Sequence, residues 1–396
     1  MGHVLGGALL IAGTTIGVGM LALPVATGPA GFLPSVSVYI LTWLFMLCTG
    51  LLMLEVCTWM PKDSNLITMA TRLLGKTGRY VCWAVYLFLF VTVMIAHVAG
   101  GGSVMNELIG GKLPEWAAML IYVVAFSPVV YLGAHSVDRL NLGLMIGVIG
   151  SYLLFIFVSY SHVNVQLLTY TSWTKAWLAL PVLFTAFTYQ VIIPTLMTYM
   201  DRNVKRVRLA ILFGTTIPLV VYLVWEFVIL GIVPVEGPGG LIEAGALGHN
   251  AVMPLKHYVG SSSLFSIGKY FAFFTLTTSY IALALAFLDF LADGLKMQKK
   301  GIKKVFLCLL IFVPPTIIAL INPNIFLKSL SYAGGISCAI LFGLFPPLMA
   351  WIGRYKKGLG EKGKELVPGG RVFLTMLLIF VAFELAIEIS QEILKL

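Results

Sequence analysis

The chain has 396 residues, 59% of hydrophobic type and 11% charged, with a mean hydropathy of +0.98. Soluble domains carry about 45–50% apolar and about 25% charged residues, so this composition excludes a soluble protein and defines an integral membrane one. The formal net charge of +10 does not call for a nucleic-acid partner, because the placement of the basic residues gives it another meaning.

Apolar runs of about 20 residues, enough to cross a hydrocarbon core about 30 Å thick, recur about eleven times. They are predicted near 4–28, 33–59, 80–104, 117–134, 142–160, 176–199, 209–232, 264–292, 305–322, 330–352 and 372–390. The longest connection, 233–263, leaves little room for a separate soluble domain. Of the 26 Lys and Arg residues, only Lys112, Lys175, Lys256, Lys269, Lys328 and Lys395 fall on the side that shares the C-terminus. All the others, Lys362 and Lys364 among them, fall on the opposite side. The positive-inside rule then puts the N-terminus inside, the C-terminus outside, and favours an odd number of spans. Cys48, Cys57, Cys82, Cys308 and Cys338 are odd in number and lack CxxC spacing, so neither a disulfide framework nor a zinc site is expected. The start, Met1-Gly2-His3, lacks the basic flank of a signal peptide, and the first span is expected to be retained.

Span 1 is interrupted by Gly13-Thr14-Thr15-Ile16-Gly17-Val18-Gly19. In hydrocarbon, unpaired backbone groups are tolerated only where they line a cavity or meet a ligand. Freed amides near Val18 and Gly19 would start a half-helix whose dipole suits a carboxylate. Freed carbonyls near Gly13 and Ile16 would suit a cation. Close packing of two helices through small residues is the competing explanation. Span 2 carries Glu55, either a partner for freed amides or, in neutral form, a proton carrier, or a helix-end glutamate at the inner interface. On span 3, His97 lies in an apolar run, suited to carrying a proton or to a structural hydrogen bond. Span 6 reads Thr185-Ala186-Phe187-Thr188-Tyr189-Gln190 between Pro181 and Pro194, a pattern that predicts local unwinding. Span 7 adds Glu226 as a further intramembrane carboxyl. Breaks in spans 1 and 6 occupy matching places if spans 1–5 and 6–10 are inverted repeats, the pattern of secondary transporters. That division gives 1–160 and 176–352, with 371–396 as an additional helix. Gly75-Lys76-Thr77 is not a phosphate loop, since Ala70 stands where its first glycine belongs. No nucleophile with a base and no cofactor or metal motif points to an enzyme.

GTTIGVGMLALP at 13–24, PVLFTAFTYQVIIPTL at 181–196 and SYIALALAFLDFLADGLK at 279–296 resemble, in order, the first, sixth and eighth spans of the hydroxy and aromatic amino acid permeases. These bacterial tyrosine and tryptophan permeases belong to the amino acid, polyamine and organocation superfamily. The resemblance implies an all-α protein of the leucine-transporter type, with two inverted five-helix repeats and discontinuous helices 1 and 6. It implies proton-coupled uptake of an aromatic amino acid across the bacterial inner membrane, with a cytoplasmic N-terminus and a periplasmic C-terminus. By matching positions, the substrate's carboxylate and amine would sit around Thr14, Thr15, Ile16, Gly17, Val18 and Gly19, facing the span 6 break. In sodium-coupled relatives two span 8 hydroxyls help hold the ion, and Thr278 and Ser279 match them. Phe184, Phe187 and Tyr189 would wall an aromatic side chain, with Thr188 or Gln190 meeting a phenol or indole. The family often has glycine and histidine where this chain has Thr188 and Gln190. The span 5 lysine of some proton-coupled relatives is absent from 141–160. A sodium-coupled permease for another neutral amino acid and a passive facilitator remain the alternatives.

Overall fold

The computed structural model describes residues 2–62, 64–259, 263–360 and 365–394. Among them lie ten helices long and apolar enough to span a membrane, and a bent pair that makes the eleventh. Span 1 is His3–Thr15 plus Val18–Ala30, bent by 57°. Spans 2 to 6 are Phe32–Thr58, Leu66–Ile109, Glu115–Leu132, Ala134–His162 and Trp173–Tyr199. Spans 7 to 11 are Val204–Ile232, Ser263–Gly294, Gly301–Ile321, Phe326–Lys356 and Gly370–Ile393. Each expected run is thus a helix.

The largest departure from expectation is span 3, which starts well before 80. A short helix is joined to it at Gly75, whose φ of +78° and ψ of −161° bend the chain where an L side chain would be strained. The glycine of the spurious phosphate-loop motif is therefore a kink residue.

Packing divides the spans into two groups. The inner half of span 1 leans mainly on span 7, as does span 2, while span 5 lies along span 8 and span 3 touches spans 4, 8, 9 and 10. On the side away from the N-terminus, the segment 233–259 folds back over the outer half of span 1. Ala251 donates its amide to the Leu21 carbonyl at 2.8 Å, and Ser172 donates to Ala30 at 2.7 Å. A Cβ on Gly28 would meet Leu241 of the short helix Leu241–Ala246 at 2.6 Å. Gly13 and Thr14, by contrast, are exposed. The break itself, Gly17 to Gly19, is buried.

Candidate substrate site at two helix breaks

Helical hydrogen bonding in span 1 stops at the bond from the Ile16 amide to Ala12 at 2.8 Å and resumes with Met20 to Gly17 at 3.1 Å. Between them, Gly17 is extended at φ −163°, ψ −145°. The amides of Gly17, Val18 and Gly19 have no backbone acceptor among the described residues, and the carbonyls of Gly13, Thr14 and Ile16 have no backbone donor. One end of the gap therefore carries donors and the other acceptors, the complement of a zwitterion. The hydroxyls of Thr14 and Thr15 are turned back on their own helix, donating to Leu10 at 2.7 Å and Ile11 at 2.8 Å.

Span 6 breaks at the expected place, over a shorter stretch. The helix Leu180–Ala186 ends at Phe187, Tyr189 is at φ −146°, ψ −8°, and a tight turn Gln190–Ile192 leads into Ile193–Tyr199. The two breaks touch. A Cβ built on Gly19 would lie 2.8 Å from the Ala186 Cα and 2.9 Å from its Cβ. Because that neighbour is backbone, Gly19→Ala has to push the half-helices apart. Overpacking of this kind costs about 1–3 kcal/mol, and 1.4 kcal/mol is tenfold in an equilibrium constant. The expected result is a folded protein whose substrate affinity falls about tenfold, measured by binding to purified protein. Unchanged affinity would show that the crossing does not set the site.

Tyr222 of span 7, which sequence reasoning passed over, joins the two breaks. Its buried hydroxyl lies 2.7 Å from the Thr15 carbonyl and 3.0 Å from the Ala186 carbonyl, both left free by the interruptions. One proton serves two acceptors. Phe187 packs edge-on against Tyr222 at 5.2 Å and Tyr39 at 6.2 Å, forming an aromatic wall beside the gap. One turn outward of Tyr222, the buried Glu226 accepts from Thr27 Oγ1 at 2.6 Å and from the Tyr39 hydroxyl at 2.7 Å. Spans 1, 2 and 7 supply every member of this network.

The other candidates are placed as follows. Ser279 reaches the break: its Oγ would be 2.8 Å from a Cβ on Gly17. The Thr278 hydroxyl donates to the Thr275 carbonyl within span 8 at 3.0 Å. Thr188 donates to the Phe184 carbonyl at 2.7 Å. Phe184 stacks on Phe45 at 5.2 Å and on Phe380 at 6.2 Å, away from span 1. Tyr189 and Gln190 both turn to span 2, where Tyr189 donates to the Met46 carbonyl at 3.1 Å and Gln190 Nε2 donates to Thr49 Oγ1 at 3.1 Å. His97 is buried, and its Nδ1 sits 2.7 Å from the Val93 carbonyl, which can only accept, so Nδ1 carries the proton.

Glu55 is neither near the freed amides nor at an open interface. Arg354 holds it bidentately, Nε to Oε1 and Nη2 to Oε2 both at 2.7 Å, and the Leu366 amide adds a third bond at 2.9 Å. Its acceptors are taken by span 10 and the segment after it.

Interrupted spans that present donors and acceptors to one gap, inside an eleven-span helical frame, define a membrane protein of the leucine-transporter fold. Solved structures share that frame. A crystal structure of a mutant manganese transporter from Eremococcus coleocola aligns with a TM-score of 0.63 at 14% identity, covering 97% of this chain and 84% of its own. A second, of the same transporter with an aromatic bis-isothiourea compound, gives 0.60 at 15% identity, covering 98% and 85%. The sequence pattern of the tryptophan/tyrosine permease family matches residues 1–387, and this chain belongs to that family. Its relatives include the tyrosine-specific transport system 1 of Haemophilus influenzae, 31% identical over 84% of each chain. The tryptophan-specific transport protein of Pseudomonas aeruginosa is 31% identical over 90% of this chain and 87% of its own. The low affinity tryptophan permease of Escherichia coli is 28% identical over 91% of each.

Proposed function

We propose that this protein is a secondary active transporter that takes up an aromatic amino acid, tyrosine or tryptophan preferred, in symport with protons. The observation that carries this reading is the pair of touching breaks in spans 1 and 6. Amides of 17–19 can bind a carboxylate, carbonyls of 13, 14 and 16 can bind an ammonium group, and Phe187 stands beside them as an apolar wall. Substrate names of the relatives support the aromatic class. In this reading 1–160 and 176–352 are the two inverted repeats, and 371–396 is an added helix. Spans 1, 2, 6 and 7 rock as a bundle against the rest, opening the gap to each side in turn. The Glu226 network, built wholly within that bundle, stays intact as it moves. The distribution of Lys and Arg supports a cytoplasmic N-terminus and a periplasmic C-terminus in a bacterial inner membrane; Lys362, Lys364 and Lys395 in that count lie outside the described residues.

One observation favours a second reading, a sodium-coupled permease for a neutral amino acid: Ser279 of span 8 meets the span 1 break at Gly17, where a hydroxyl and free carbonyls can share a cation. Uptake of labelled tyrosine into proteoliposomes, under an imposed pH gradient or an imposed sodium gradient, separates the two. Accumulation that follows the pH gradient and is blocked by tryptophan is the expected result. Accumulation that follows sodium alone supports the second reading, and equilibration without accumulation under either gradient defines a passive facilitator.

A further inference from the structure

Span 11 stands outside both repeats, yet it carries an acidic ladder that leads toward the span 6 break. Glu384, Glu388 and Glu392 follow at four-residue intervals, so they stack on one helix face with about 6 Å of rise between neighbours. At the outer end Glu392 accepts from Lys328 at 2.8 Å and from the Tyr332 hydroxyl at 2.7 Å. One turn in, Glu388 is 5% exposed and accepts from Ser331 Oγ at 2.7 Å. A further turn in, Glu384 is completely buried, and neither of its carboxyl oxygens has a hydrogen-bond partner among the described residues. An intramembrane carboxyl in this condition is costly to keep and marks a functional site.

Span 10 fills the space between this ladder and span 6. Its stretch Ala333–Leu344 is wound as a π-helix, a rare form that recurs at functional positions. Two glycines there make the approach possible. A Cβ on Gly335 would lie 2.7 Å from the Glu388 carboxyl, and one on Gly334 would lie 2.6 Å from Thr185 Oγ1 of span 6. In the same stretch Ser337 Oγ is buried and unpartnered among the described residues. The next residue, Cys338, is buried in the same stretch. Charged and titratable groups facing the ladder are Lys328 and Tyr332 at its outer end and Cys338 at its inner end, all from span 10. Spans 2 and 6 present Phe45, Phe184 and Trp177 to span 11, none of them titratable. Among the described residues no cation pairs with Glu384.

We propose that Glu384 and Glu388 form a proton-binding site on span 11, loaded from the outer face past Glu392, whose occupancy controls the seating of the first half of span 6 against spans 10 and 11. Loading takes a proton from outer water and forms the O–H bond of one carboxyl; release breaks that bond and returns the proton to inner water, with no change in electron count. The position suits coupling because it lies where the moving bundle meets the static spans, whereas the Glu226 network lies inside the bundle. This proposal rests on the reading of the chain as a coupled transporter and names the coupling residue within it.

The test uses full-length protein in proteoliposomes, with Glu384→Gln and Glu384→Asp, and two transport modes. Tyrosine counterflow at equal pH needs only rocking of the loaded carrier, while accumulation needs the pH gradient. For E384Q, counterflow within about twofold of wild type and a fall of about tenfold or more in accumulation are expected; E384D, which keeps the acid, recovers part of the accumulation. Full accumulation in E384Q overturns the proposal, and so does loss of counterflow together with accumulation in folded protein, which would make the carboxyl a structural group. An independent readout needs no substrate: the infrared difference spectrum of wild type minus E384Q should show a carboxylic-acid C=O band that titrates with pH. Presence of that band with no aromatic uptake in wild type would preserve the proton site and sink the transport reading. Its absence overturns the site.

Discussion

Replacing Tyr222 by phenylalanine is expected to cut tyrosine uptake by about 10- to 100-fold while leaving the protein folded. The change removes one oxygen and keeps the ring, so the edge contact with Phe187 at 5.2 Å survives. What is lost is, among the described residues, the one side-chain donor to the Thr15 and Ala186 carbonyls, at 2.7 and 3.0 Å. A buried acceptor left without its donor costs about 1–3 kcal/mol, and each 1.4 kcal/mol is a factor of ten. The penalty falls on the two breaks at once, since the hydroxyl fixes the end of one half-helix against the end of the other. Tyr152→Phe is the control. Its hydroxyl also donates to a carbonyl of span 7, that of Val221, at 3.0 Å, but that carbonyl belongs to unbroken helix. Initial uptake rates normalised to folded protein should be near wild type for Y152F and severely reduced for Y222F. Equal rates for the two variants would show that the bridge has no part in transport.

Tyr222 also shows what was and was not legible in the sequence. Span positions were legible because about 20 consecutive apolar residues leave the backbone few alternatives to a helix in lipid. Both breaks were legible as well, one from three glycines within seven residues and the other from the prolines that flank Thr185 to Gln190. Side-chain direction within the second break was not. A break rotates the chain through non-helical angles at Phe187 and Tyr189, so helical spacing no longer says which residues share a face. That rotation turns Tyr189 and Gln190 onto span 2 and leaves Phe187 on the gap. Tyr222 did leave a signal, a hydroxyl one turn before Glu226 on the same face of an apolar span. The carboxyls of span 11 left a stronger one, three acids at four-residue spacing, and the rule that singled out Glu55 and Glu226 applied to them equally. They were passed over because the repeat pattern made span 11 an appendage.

The sequence offered Glu55 either as a coupling acid or as a helix-end glutamate, but its partner is 299 residues away in sequence, and no local pattern could pair them. The side chains of Arg354 and Glu55 are only 3% and 6% exposed. Arg354 further donates to the Val367 carbonyl at 3.2 Å, and the Leu366 amide donates to Glu55, so the pair also fastens the segment between spans 10 and 11. Removing one member leaves the other charge buried and unpaired, at a cost of about 3–5 kcal/mol. Against a total folding stability of about 5–15 kcal/mol, Glu55→Ala and Arg354→Ala should each give much less folded protein and a lower midpoint in a thermal unfolding assay. A double replacement, Glu55→Leu with Arg354→Met, removes both charges while keeping volume, and such swaps of buried pairs are often neutral or stabilising. Its stability is expected to return toward wild type. Uptake is not, because the pair ties span 2 to span 10, and under the proposed rocking motion that tie would bias the populations of the two states. Single variants as stable as wild type would show that the pair does not hold the fold. A double variant that recovers both stability and uptake would make it a packing element with no part in the motion.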